Sequence, residues 1–191
     1  MDPKPGESTP FDLSSAAPVA EPPPEIVTED PLEYLRAEIL QLHERGTSGA
    51  NWFFWIAALS LVNSLILLSD GERHFVVGLG VTLVSDSIAV VVARENPDIA
   101  MIAKSIAFGF ALCVAGGVCL FGWLSRRAIL PIFALGMILY LLDALIYLLV
   151  GDWMSVGFHG FALFCMWGGF AAFQRMKAIR ADLERRLAAP A

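Results

Sequence analysis

Apolar residues run together along most of this chain instead of alternating or recurring with a helical period. From Asn51 onward five such runs appear, at 52–69, 74–93, 99–124, 128–150 and 153–173. A helix needs about 20 mainly apolar residues to cross a hydrocarbon core about 30 Å thick, because each residue rises about 1.5 Å. Five buried helices of this kind exceed what a small soluble protein could enclose. Nothing in them has the period of two that a membrane barrel requires, and backbone in lipid must satisfy its own hydrogen bonds. The pattern therefore predicts an all-α, polytopic transmembrane helical bundle of five spans occupying residues 51–173.

The connections fit that prediction. Short polar breaks at 70–73, 94–98, 125–127 and 151–152 carry turn residues, which makes consecutive helices antiparallel neighbours. Trp52, Trp55, Trp123 and Trp153 fall at predicted helix ends, as an interfacial aromatic belt would place them, while Trp167 lies deeper.

The two ends read differently. Residues 1–30 hold seven prolines and many acids, an acidic Pro-rich composition that favours a disordered tail. With no charged-then-apolar leader there, the first span is expected to direct insertion itself. Residues 31–46 read as an amphipathic helix with Leu32, Leu35, Ile39 and Leu42 on one face, ended by Gly46, Ser48 and Gly49. The basic segment 174–191 repeats the theme, with Met176, Ile179, Leu183 and Leu187 opposed to Arg175, Lys177, Arg180, Arg185 and Arg186. Each is read as a helix lying on or extending from the membrane surface, with a short coiled coil for self-association as the alternative.

Overall the chain is 57% hydrophobic and 17% charged, with a formal net charge of −6. Residues 1–50 carry ten acids against three bases, and 51–191 nine against ten. The absence of a basic excess argues against nucleic acid as a partner. With five spans, Arg36, Arg45 and Arg94, plus Lys104 if it snorkels, lie on the N-terminal side, and Arg73, Arg126, Arg127 and the five C-terminal bases on the other. The positive-inside rule then predicts a cytoplasmic C-terminus and an external N-terminus.

Ionisable side chains at membrane depth are costly and serve as candidate functional groups. Four occur: Asp86, Lys104, Asp143 and His159. Asp143 lies eight residues before Gly151 and His159 seven after Asp152, so an antiparallel hairpin brings them level to within about 1.5 Å. Asp86 and Lys104 are similarly spaced about the 94–98 break, and the four are expected to form one buried polar layer. Gly136, Tyr140, Asp143 and Tyr147 share a face of the fourth helix, Ser155 and His159 a face of the fifth, and Gly78, Thr82 and Asp86 a face of the second. Asn63, with Ser60 and Ser64, is the main polar patch of the first. The bland reading of all of them is register-setting hydrogen bonds between helices; the sharper one is a pathway for protons or ions.

The third helix carries a ridge of small residues, Ala103, Ala107, Ala111, Ala115 and Cys119, suited to a central position or a dimer face. Cys113, Cys119 and Cys165 all fall inside spans and lack metal-ligand spacing. No phosphate loop, zinc helix or dinucleotide fingerprint occurs, so no cofactor and no metal are expected.

The stretches Gly49-Ala-Asn-Trp-Phe-Phe-Trp-Ile-Ala-Ala-Leu-Ser-Leu-Val-Asn-Ser64 and Gly151-Asp-Trp-Met-Ser-Val-Gly-Phe-His-Gly-Phe161 resemble those of small multi-pass proteins of bacterial inner membranes, a group without an assigned activity. The resemblance implies a bacterial inner-membrane location and transfers no functional residue. A rhomboid-type protease would need Ser85 or Ser87 to act with His159, but the serines sit in Leu83-Val84-Ser85-Asp86-Ser87, without the Gly-x-Ser-Gly setting of that family. The expected role is thus structural or interactive, without catalysis. Its partners would be the bilayer and a second copy or another membrane protein, met through 31–45, 174–187 or the third-helix ridge. A small proton-linked transporter or channel is the alternative, and an intramembrane enzyme the second alternative.

Overall fold

The structure, a computed structural model, describes residues 31–68 and 78–188. Among the described residues five α-helices follow one another: α1 (Pro31–Leu68), α2 (Gly80–Glu95), α3 (Ala100–Arg126), α4 (Leu130–Val150) and α5 (Trp153–Ala188), with a 3-10 turn at Pro97–Ile99. No strand occurs among the described residues. The protein is an all-α helical bundle, and α1, α3, α4 and α5 are long and apolar enough to cross a membrane. The acidic tail at 1–30, the break at 70–73 and the first residues of the 74–93 run lie outside the described residues.

The second helix departs from the hydropathy reading. It opens at Gly80 and has 16 residues, a rise of about 24 Å, short of a full span. Its direction follows from its contacts with α1. Leu79 bonds Ser60, and Asp86 bonds Ser64. Further along, Ala89 and Val90 share a small cavity with Leu68. Both chains ascend together, so α2 runs parallel to α1.

The remaining helices alternate. Lys104 and Ala107 of α3 meet the Ser64–Leu68 end of α1, whereas Gly122 packs on Phe53 and Phe54. Phe133, early in α4, meets Phe53 at 5.7 Å between ring centroids. Gly169, late in α5, touches Gly49. Four crossings result, an even number. The amino end of α1, the α3–α4 turn and the carboxyl end of α5 therefore lie on one face, where Arg175 of α5 pairs with Glu38 of α1 at 2.6 Å. This corrects the expectation that the two ends lie on opposite sides, which rested on counting α2 as a crossing antiparallel to α1.

The expected break at 46–49 is also corrected. α1 is continuous, and its glycines serve contact between helices instead of ending a helix. A Cβ on Gly49 would sit 2.6 Å from the Gly169 Cα, and one on Gly46 would overlap the Phe173 ring. Such close backbone approach is how helices gain dispersion contact where lipid supplies no hydrophobic drive. α5 is likewise continuous, so the two amphipathic stretches are outward extensions of α1 and α5. They pack on each other through Leu42, Phe173 and Met176, with Ile39 and Ile179 beside them. The third-helix ridge is used internally as well: Ala107, Ala111 and Ala115 are buried, and α3 packs on both α1 and α2.

A tight turn joins α4 to α5. Gly151 takes a left-handed conformation (φ 74°) at the end of α4, which glycine adopts without a Cβ penalty. Asp152 then caps α5, accepting from the Ser155 hydroxyl at 2.6 Å and the Ser155 amide at 3.2 Å. Those hydrogen bonds hold the Asp152 carboxyl below the usual carboxylate range.

Two outcomes are expected of unfolding measurements in detergent. Gly49→Leu lowers stability by about 3 kcal/mol, because the neighbour is backbone and cannot move aside, whereas Gly168→Leu, whose Cβ meets nothing within 4 Å, leaves it within about 0.5 kcal/mol. Asp152→Ala costs about 1 kcal/mol at neutral pH. A lowered carboxyl stabilises the fold above its unfolded value of about 3.9, so the gap between the two proteins persists at pH 5 and closes as pH falls below about 4.

Candidate functional site

The amino end of α2 lies inside the bundle, and its first backbone amides have no turn of helix before them. In an apolar setting each unsatisfied N–H costs about 1–3 kcal/mol. Side chains from two other helices meet this demand. The Leu79 amide donates to Ser60 Oγ of α1 at 2.6 Å. The Gly80 amide donates to Asp143 Oδ2 of α4 at 2.7 Å, and the Val81 amide to Asp143 Oδ1 at 2.9 Å. A carboxylate at a helix amino terminus also meets the positive end of the macrodipole, and both bonds are charge-assisted. Asp143 is therefore an N-cap supplied by a different helix.

α4 and α5 position the rest. Gly136, Tyr140, Asp143 and Tyr147 fall on one face of α4, and all four are buried. Tyr147 donates its hydroxyl to the Gly78 carbonyl at 3.2 Å, so the residues preceding α2 are held on their acceptor side too. Space is tight at position 80: a Cβ there would lie 3.0–3.1 Å from Ile146, the Asp143 carbonyl and the Tyr147 ring, so a larger residue would require these neighbours to give way.

His159 completes the cluster from α5, fully buried. Its Nδ1 lies 2.8 Å from the Ser155 carbonyl, its Nε2 3.2 Å from Asp143 Oδ2. A carbonyl only accepts, so Nδ1 carries hydrogen. The Nε2 contact is a hydrogen bond when that nitrogen carries hydrogen, and it ties α5 to the carboxylate that caps α2. The Tyr140 ring stacks on the imidazole (4.4 Å, 18°) and the Tyr147 ring tilts against it at 5.0 Å.

The other two predicted ionisable residues stand apart from this cluster. Asp86 accepts from Ser64 Oγ at 2.7 Å, and both residues line, with Lys104, a cavity of about 10 Å³. Along α2, Asp86 lies six residues past Gly80, about 9 Å up the axis. The four ionisable groups occupy two tiers, where the sequence reading has a single layer. Asn63 borders Gly78, its Nδ2 2.7 Å from where a Cβ would stand. Ser155 contributes its carbonyl to His159 while its side chain turns to Asp152. Both ring nitrogens of His159 are engaged in these bonds, so the structure does not join Ser85 or Ser87 to it as nucleophile and base.

Two residues central to the site were missed as such by the sequence reading. Ser60 was seen only as part of a patch, and Gly80 not at all. The signal for the second was present: Gly78-Leu79-Gly80 interrupts an apolar run with two glycines. Tyr140 buries a hydroxyl that has no hydrogen-bond partner among the described residues. No group of His, Cys, Asp and Glu among the described residues could hold a metal. Comparisons with family models, curated proteins and solved structures return no match, so the chemistry of the site rests on its own geometry.

Asp143→Asn is expected to lower stability by about 3 kcal/mol, since an amide accepts from only one of the two α2 amides and sets its NH₂ against the other. Ser60→Ala costs about 1 kcal/mol, leaving one amide unpaired. Hydrogen exchange at Gly80 and Val81 distinguishes them: it accelerates in Asp143→Asn and stays near wild type in Ser60→Ala, where Leu79 responds instead.

Proposed function

We propose that this chain is a multi-pass integral membrane protein of the bacterial inner membrane that acts without catalysis, as a structural or interaction protein. The observation that carries the reading is the commitment of Asp143. Both of its oxygens are occupied in capping α2 and holding His159, so the most functional-looking group in the membrane is fully used by the fold. What remains for partners is the paired extension of α1 and α5 beyond the bundle. Exposed Tyr34, Leu40 and Leu187 lie there beside the bases of α5.

The proposed orientation puts that extension in the cytoplasm. Among the described residues, its face carries nine bases, Arg36, Arg45, Arg126, Arg127, Arg175, Lys177, Arg180, Arg185 and Arg186; the opposite half carries Arg94 and Lys104. This asymmetry supports a cytoplasmic location for both the start of α1 and the end of α5. The cytoplasmic C-terminus of the sequence reading is retained in the proposal, while its external N-terminus is withdrawn.

A second reading, a small proton-linked transporter or channel, is favoured by one observation: two ionisable side chains, Asp143 and His159, meet within hydrogen-bond distance at membrane depth.

Two experiments separate these statements. In a background with Cys113, Cys119 and Cys165 replaced by serine, Asp98→Cys is labelled by an impermeant thiol reagent in intact cells, whereas Arg36→Cys and Arg127→Cys are labelled only after permeabilisation. Labelling of Arg36→Cys from outside would reverse the orientation. In proteoliposomes, wild type and His159→Gln show the same proton flux under the structural reading. A wild-type flux abolished by His159→Gln in a protein that still folds would establish the transport reading in its place.

A further inference from the structure

The groove between α1 and α5 at the base-rich face has the layout of an amphiphile site. Two cavities, about 580 and 410 Å³, lie end to end along it. Leu42, Arg45 and Arg175 line both, so the cavities meet at two arginine side chains. Toward the membrane the larger cavity passes Gly49 and reaches Trp52 on α1, and its floor on α5 is Cys165, Gly168 and Gly169. Its small residues leave the groove room above that floor, and the space above Gly168 is open.

We propose that this groove binds one anionic phospholipid, with the headgroup phosphate between Arg45 and Arg175 and an acyl chain lying along the glycine floor toward Trp52. The charge, the shape and the depth agree on this occupant. Arg175 already pairs with Glu38, whereas Arg45 has no carboxylate within ion-pair distance among the described residues. A phosphate supplies the missing anion and can accept from both side chains at once. The polar end of the groove lies at the level of the extension and the apolar end at a tryptophan, the residue that marks the membrane interface. A second copy of the chain is disfavoured as occupant, because an isologous contact over this groove would gather two pairs of arginines in one interface.

The test uses the full chain purified in a neutral detergent, with thermal unfolding followed as lipid is added. Phosphatidylglycerol raises the midpoint of the wild type by several degrees, as a ligand of the native state must; phosphatidylcholine and inorganic phosphate do not. Arg45→Gln removes one of the two arginines that line both cavities, and Gly168→Leu fills the floor at a position where a Cβ meets nothing within 4 Å. Each is expected to abolish at least half of the phosphatidylglycerol shift, while Arg180→Gln, on the same face outside the groove, keeps it. Equal shifts from phosphatidylcholine, a full shift from inorganic phosphate alone, or a phosphatidylglycerol shift undiminished in both Arg45→Gln and Gly168→Leu would overturn the proposal. So would a concentration-dependent dimer lost in Gly168→Leu without any lipid effect, which would assign the groove to a second copy.

Discussion

A helix that begins within hydrocarbon must find acceptors for its first amides, and the rest of this bundle is arranged around that requirement. α2 opens at Gly80 inside the protein, where water cannot serve the exposed N–H groups. Ser60 answers from α1 and Asp143 from α4, and His159 holds Asp143 from α5. Three crossing helices thereby converge on the end of a fourth. A network of this kind is stronger than its separate bonds, because breaking any member leaves the others unsatisfied in a low dielectric.

Packing and topology follow from the same point. Because α2 ascends beside α1, the α2–α3 hairpin returns the chain to the face opposite the extensions, and three more crossings bring α5 back alongside α1. The two longest helices then lie antiparallel over much of their length, in contact at Gly49 and Gly169, with Leu42, Phe173 and Met176 continuing the seam outward. The seam explains why two short amphipathic stretches occur at opposite ends of the sequence. Each is the apolar counterpart of the other.

How much of this could be read beforehand depended on what each signal measures. The Asp143–His159 contact was legible because both residues are counted from one tight turn, where Gly151 and Asp152 leave no room for slippage. The level of Asp86 was not, since counting from the 94–98 turn assumes that both hairpins reach equally far. Hydropathy also failed to register the start of α2: Gly78, Leu79 and Gly80 are as apolar as a span and differ only in the backbone freedom of the glycines. The glycines of α1 misled in the opposite way. Gly46 and Gly49 have the composition of a helix stop, but the cost of glycine within a helix is about 1 kcal/mol, and contact with Gly169 and Phe173 outweighs it. Sidedness inherited the α2 error, because one half-length helix changes the parity of the whole chain.

The central carboxylate is constrained by counting donors. The Gly80 and Val81 amides donate to its two oxygens, and His159 Nε2 stands 3.2 Å from Oδ2. A carboxylate has acceptor sites for all three, so one side chain of α4 ties the start of α2 to α5. Any displacement of Asp143 must therefore loosen the cap of α2 and the hold on His159 together, which makes the docking of that helix and the geometry of the site one coupled arrangement. The structural and proton-linked readings differ in whether the living membrane ever moves that arrangement, and the bonds involved are the same in both.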